Sequence, residues 1–213
     1  AIDKEISKKI FLKNNILTPS YFKFSFKNNF SFVNLIRKID KKLKFPVVLK
    51  PINEGSSVGV YITNKKNFNR DLMKLEKFKE ILIEKYIPGR EIQAAVLDNK
   101  KLGIIELKPK RKFYDYKAKY SASAMTEHII PVRISSKNFK KVNMIALKAH
   151  KLLKCRGVSR SDFRFHNNKF YLLELNTQPG MTALSLVPEI ARYNKISFIQ
   201  LIEEIMKDAS INK

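Results

Sequence analysis

Apolar residues recur along the chain with two distinct periods, and the alternation between them sets the expected elements. Residues 3 to 13 form a short basic helical stretch, and Phe32, Leu35, Ile36, Ile39 and Leu43 then repeat at helical spacing behind a Ser31 cap. Phe68, Leu72, Leu75 and Phe78 predict a helix over 67–79. Phe139, Val142, Ile145, Ala146, Ala149 and Leu152 predict another over 138–153, and helices at 184–193 and 198–206 close the chain. Between them lie β-type runs at 45–51, 81–87, 91–97, 102–107, 157–165 and 169–176, separated by turn residues such as Asp98-Asn99 and Asn167-Asn168. The 45–51 strand and a second one reaching Ile62 are expected to form a hairpin around a Gly/Ser-rich reversal. Residues 109–128 follow neither period and read as a long loop of the functional kind.

Composition narrows the classes. The chain has 213 residues, 44% of them hydrophobic and 11% aromatic, enough apolar surface to offset the entropy of ordering one large or two modest domains. A single cysteine, Cys155, excludes an intrachain disulfide framework and a multi-cysteine zinc site, and a cytoplasmic location is expected. No apolar run is long enough for a spanning helix, and no signal-peptide core follows Ala1-Ile2-Asp3-Lys4-Glu5, so no membrane association is expected.

The net charge of +24 points first to nucleic acid. Its make-up points elsewhere. Of the 43 basic residues only nine are arginine, the residue that reads bases and clamps phosphates bidentately, and the lysines are scattered in pairs such as Lys41-Lys42 and Lys140-Lys141. Chain-wide compositional drift explains that pattern better than a dedicated face, so no nucleic-acid partner is expected.

Three motifs carry candidate chemistry. In Tyr171-Leu172-Leu173-Glu174-Leu175-Asn176, strand alternation projects Glu174 and Asn176 together with Leu173 and Leu175 behind them, and Asp162 on the strand across the turn supplies a third oxygen donor. Such a set suits Mg²⁺, the alternative being an ordinary edge carboxylate and a turn-starting asparagine. Lys50 followed by Glu54-Gly55-Ser56-Ser57-Val58-Gly59 places an ammonium before small residues whose amides can approach phosphate oxygens; the alternative is a mobile hairpin. Neither a Walker nor a dinucleotide-binding glycine pattern is present. Glu84-Lys85-Tyr86-Ile87, ahead of Pro88-Gly89-Arg90-Glu91, is an extended segment able to offer backbone groups to a purine, or simply an exposed ion pair. His128, His150 and His166 lack metal-ligand spacing, and Ser159-Arg160-Ser161-Asp162 lacks the glycines of a nucleophile elbow.

In order along the chain, Asp3-Lys4 with Lys8, the 45–51 strand, the glycine loop, the 84–91 segment, Phe113-Tyr114-Asp115-Tyr116-Lys117-Ala118-Lys119-Tyr120, Arg160 to Asp162, and the block from Leu173 to Pro188 resemble the D-alanine:D-alanine ligases, an ATP-grasp family. The resemblance implies an α+β fold of two lobes, 1–84 and 85–213, with the nucleotide between them. It implies an ADP-forming ligase that joins two D-alanines through an acylphosphate for peptidoglycan precursor synthesis, with D-lactate or D-serine as alternative second substrates.

By the same resemblance Lys4 and Lys50 hold ATP phosphates, and Glu54, Gly55, Ser56 and Ser57 cover them. Glu84, Lys85 and Ile87 bind adenine, with Glu91 on the ribose, and Phe113 and Leu173 are further cofactor-binding residues. Asp162, Glu174 and Asn176 hold two Mg²⁺ ions, for which Mn²⁺ is an alternative. Lys119 and Tyr120 act from a lid, Tyr120 meeting Ser56. Arg160 and the Gly180 amide stabilise an oxyanion, and Ser185 and Leu186 seat the second D-alanine. The family has a further N-terminal lobe ahead of the Asp3-Lys4 segment and often forms homodimers, so the sequence is expected to hold the central and C-terminal lobes only. Ser159, where a glycine is common, and Tyr86, where tryptophan is common, are departures that remove no functional side chain.

Overall fold

The computed structural model describes residues 2–26, 29–108, 126–182, 185–207 and 209. It contains a four-stranded sheet in the order β1-β4-β2-β3 and a five-stranded sheet in the order β7-β6-β5-β8-β9. The first comprises β1 (Tyr21–Ser25), β2 (Val47–Pro51), β3 (Tyr61–Thr63) and β4 (Glu80–Lys85). The second comprises β5 (Arg90–Leu97), β6 (Lys100–Lys108), β7 (Glu127–Ile129), β8 (Val158–His166) and β9 (Lys169–Asn176). Every pairing is antiparallel.

Strand alternation explains which face of each sheet is dry. In the first sheet Val47, Leu49, Ile81 and Ile83 pack with Leu35 and Ile39 of α2 (Phe32–Lys42) and with Phe68 and Leu72 of α3 (Phe68–Met73). The intervening residues Val48, Lys50 and Glu84 therefore point to the opposite face. The second sheet is covered on both sides. Ile92, Ala94 and Val96 meet Phe11 of α1 (Lys4–Lys13) and Val142, Ala146 and Ala149 of α4 (Ser136–Leu152). Ala95 and Leu97 meet Val187 and Ile190 of α5 (Leu186–Tyr193) and Leu201 of α6 (Phe198–Lys207). Being covered by helices on both faces is why β5 ends in an uninterrupted apolar run, Ala94-Ala95-Val96-Leu97.

Several expectations change. The helix expected over 67–79 stops at Met73 and continues as a 3₁₀ turn, Glu76–Phe78, closed by three-residue hydrogen bonds from Leu75 N to Leu72 O and Phe78 N to Leu75 O. Leu75 remains fully buried. β1 was not expected at all. The hairpin of β2 and β3 forms over three residue pairs, but β2 also pairs with β4 over five, so it is an interior strand. Of the long irregular segment, 109–125 lies outside the described residues and Glu127–Ile129 is a strand on the edge of the second sheet.

Candidate nucleotide site

The free face of the first sheet looks across a cleft at one end of the second sheet. The cleft encloses about 270 Å³ and is lined by Lys50, Ser57, Glu84, Lys85, Ile87, Glu91, Asp162, Leu173 and Glu174, all singled out in the sequence, together with Pro19, Val48, Val60, Tyr61, Ile62, Tyr86 and Arg164. Arg164 was the readable omission. It stands two residues after Asp162 on β8, hence on the same face, and its Nη2 lies 3.5 Å from Glu91 on the neighbouring strand.

On the second sheet the carboxylates are set by register. Asp162 pairs with Glu174 and Arg160 with Asn176, and the register shifts between Asp162 and Phe163, which pairs with Leu172. Leu173 is the extra residue of a β-bulge. The bulge corrects the simple alternation: Leu172 and Leu175, three apart, both enter the core, while Leu173 lines the cleft beside Glu174. An apolar wall and an acidic ligand are thereby placed next to each other, which an unbroken strand forbids.

Asp162 is buried and held on both oxygens: Arg160 Nε donates to Oδ1 at 2.8 Å, and Arg160 Nη2 and Asn176 Nδ2 donate to Oδ2 at 3.0 and 3.3 Å. Glu174 is partly exposed, with Lys4 Nζ 4.0 Å from its Oε2. Among the described residues no group of three or more His, Cys, Asp or Glu side chains converges, so any cation here relies on two carboxylates and an amide. That donor set fits Mg²⁺, which takes one or two protein carboxylates and completes its shell with phosphate oxygens and water.

The basic wall is built from two elements. α1 buries Lys4, Ser7, Lys8 and Phe11 along one stripe, capped at its start by Asp3, whose Oδ1 accepts from Ile6 N at 2.8 Å. Lys4 Nζ donates to the carbonyls of Ile52 and Glu54 and so pins the entry of the glycine loop. Burial lowers its pKa, partly opposed by Glu174. Lys50 Nζ lies 2.9 Å from Glu84 Oε1, whose own pKa is held below the ordinary carboxylate value: burial works to raise it, and Lys50 and Lys8 outweigh that.

The remaining expected residues distribute as follows. Glu54, Gly55 and Ser56 are exposed in the loop over the cleft, where Ser56 and Ser57 take left-handed backbone angles of +50° and +62°, and a Cβ on Gly55 meets nothing within 4 Å. Lys85 N donates to Ser20 O at 2.8 Å, which commits that amide to the protein. Ser185 stands at the N-cap position of α5 without a side-chain capping bond; its Oγ accepts from Thr182 N at 3.0 Å, and a Cβ on Gly180 would fall 2.8 Å from the same Oγ, so Gly180 and Ser185 are in close approach. Leu186 is buried in the core beneath α5 rather than in the cleft lining. Phe113, Lys119 and Tyr120 lie outside the described residues.

Two facing sheets with a lysine-rich wall, an acidic wall and a glycine loop over the gap define an ATP-grasp fold. A D-alanine:D-alanine ligase C-terminal family model matches residues 11–207. The D-alanine–D-alanine ligase of Pelagibacter ubique (strain HTCC1062) is 64% identical over 213 residues, covering all of this chain and 69% of the relative. The crystal structure of the Bacillus anthracis D-alanine–D-alanine ligase superposes with a TM-score of 0.83 at 36% identity, covering 97% of this chain and 66% of that one. The structure of the same enzyme complexed with ATP superposes at 0.80 and 30% identity, covering 97% and 65%. The chain belongs to the D-alanine–D-alanine ligase family, and it spans about two thirds of the length of these relatives.

Proposed function

We propose that the cleft binds ATP and that the chain carries the ATP-grasp part of an enzyme joining two D-alanines, with residues 1–84 and 85–213 as its lobes. The observation that carries this reading is the opposition of Lys50 on one wall to Asp162 and Glu174 on the other across a single cleft. A triphosphate with its metal needs that charge arrangement. Glu84, Lys85 and Ile87 border the purine end, with Leu173 as its apolar wall and Glu91, steadied by Arg164, at the ribose. Lys4 and Lys50 face the phosphates, and the loop from Glu54 to Ser57 covers them.

Asp162, Glu174 and Asn176 would hold Mg²⁺, or Mn²⁺ in its place, which offsets charge on the phosphoryl oxygens when bound. In the reaction, the first D-alanine's carboxylate attacks the γ-phosphorus and the bond to the β-phosphate oxygen breaks, releasing ADP. The second D-alanine's amine attacks the acylphosphate carbonyl, loses a proton, and expels phosphate. Arg160 and the Gly180 amide stabilise the oxyanion of that step, Ser185 and Leu186 seat the incoming carboxylate, and Lys119 and Tyr120 serve the transferred phosphate. The dipeptide is a peptidoglycan building block, and the proposal puts its synthesis in the cytoplasm, where ATP is supplied. Among the described residues no helix is long and apolar enough to cross a membrane.

The test is phosphate release from Mg·ATP with D-alanine, measured on the 213-residue chain and on the chain joined to the remaining third of the Pelagibacter ubique relative. D-alanine-dependent release with D-alanyl-D-alanine as product is expected. No release from either protein overturns the proposal.

A further inference from the structure

Lys8 is the most deeply buried charged side chain of the cluster, 1% exposed, and it does not line the cleft. It follows Lys4 by one helical turn on the buried stripe of α1. Its Nζ donates to Thr18 Oγ1 at 2.6 Å and lies 3.0 Å from Glu84 Oε1, the same oxygen that Lys50 approaches at 2.9 Å from the cleft side. The Glu84 carboxylate is thus clasped between two ammoniums, only one of which can reach a ligand.

A buried carboxylate facing Lys50 alone would neutralise it and draw its ammonium inward. We propose that Lys8 is a positioning residue for the triphosphate: by neutralising Glu84 from behind, it leaves the charge of Lys50 directed at the phosphates. The inference rests on the nucleotide reading of the cleft and extends it to a residue that touches no ligand. Burial of an ammonium is unfavourable, and burial lowers the Lys8 pKa to about 8 against the pull of Glu84. An apolar residue at this point of the α1 stripe would avoid that penalty, so the lysine is accounted for by what it does to Glu84 and Lys50 rather than by packing. Thr18, from the segment leading to β1, fixes the ammonium by a second contact.

The prediction separates phosphate recognition from purine recognition. Lys8→Met is expected to weaken binding of Mg·ATP about tenfold more than it weakens binding of adenosine, because the lost charge acts on the phosphates through Lys50. The double variant Lys8→Met/Glu84→Gln removes both charges; because Glu84 also borders the purine, its Mg·ATP affinity is read against its adenosine affinity, and that ratio is expected to return to within about threefold of the unsubstituted chain's. Lys8→Gln, which keeps an amide able to reach Thr18, repeats the measurement should the methionine variant fail to fold. Equal losses for ATP and adenosine, or no recovery in the double variant, would show a merely structural lysine and overturn the inference. Failure of the unsubstituted chain to bind ATP overturns the nucleotide reading and this inference together, whereas intact ATP binding without the selective loss overturns this inference alone.

Discussion

Asp162 and Glu174 face one another across β8 and β9, and the register breaks at the very next pair. The bulge that follows brings Leu173 onto the cleft face, so the acidic pair and its apolar neighbour are products of one local irregularity. Removing the charge at Glu174 should uncouple metal from nucleotide. Glu174→Gln is expected to abolish the Mg²⁺-dependent part of the rise in melting temperature that ATP produces, while a smaller metal-independent rise persists through Lys50. A Mg²⁺-dependent rise of unchanged size in that variant would place the metal elsewhere.

Leu173 itself should matter to binding more than to folding. It is half-buried and outside the core, whereas its neighbours Leu172 and Leu175 are buried. Leu173→Ala is expected to weaken ATP binding about three- to tenfold with little change in urea midpoint. Leu172→Ala should do the reverse, destabilising the chain by about 2–5 kcal/mol through cavity formation. Similar stability losses for the two variants would contradict the bulge.

Gly89 sits in the link between the two sheets at φ +109°, where a Cβ would lie 2.3 Å from the carbonyl oxygen of Phe165. Its own carbonyl accepts from Arg164 Nη1 at 3.1 Å, tying the link to a cleft-lining arginine. Backbone on one side cannot yield as a flexible side chain does. Gly89→Ala is expected to lower stability by about 2 kcal/mol or more and to weaken ATP binding as well, checked by urea unfolding and by titration. Gly55→Ala, in open space, is the matched control and should leave stability within about 0.5 kcal/mol.

The clasp on Glu84 also carries a pH signature. Its folded pKa lies below the unfolded value of 4.5, because two ammoniums outweigh burial. A carboxylate of depressed pKa stabilises the fold fully above its unfolded pKa, and that contribution is lost as pH falls through the folded value. Between pH 5 and pH 3 the unsubstituted chain should therefore lose more unfolding free energy than Glu84→Gln, even though the variant starts lower. Parallel pH dependences for the two proteins would show that Glu84 is not held ionised.

Most of the strand and helix order was legible because both periods are clean: β5 and β9 were read to within a residue, and α4 within two. The 3₁₀ break after Met73 was hidden because Leu75 stays in the core and preserves the apolar spacing of a helix. β1 was missed since Tyr21-Phe22-Lys23-Phe24-Ser25 is a short edge strand whose partner, β4, lies far along the chain. The site's carboxylates and Lys50 were readable from strand position. Lys8 carried part of the family resemblance but no role: among 34 lysines nothing local marks the one that is fully buried among the described residues, and only the fold brings Glu84 to it. The net charge misled in the same way, since the lysines closest to the cleft chemistry, Lys4, Lys8 and Lys50, are among the least exposed.

The central claim, that the cleft between the two sheets is a nucleotide site, is tested most directly by calorimetric titration of the 213-residue chain with Mg·ATP, alone and as Lys50→Met. One ATP per chain is expected, with affinity reduced at least about tenfold in the variant. No binding, or binding that Lys50→Met leaves unchanged, would contradict the account.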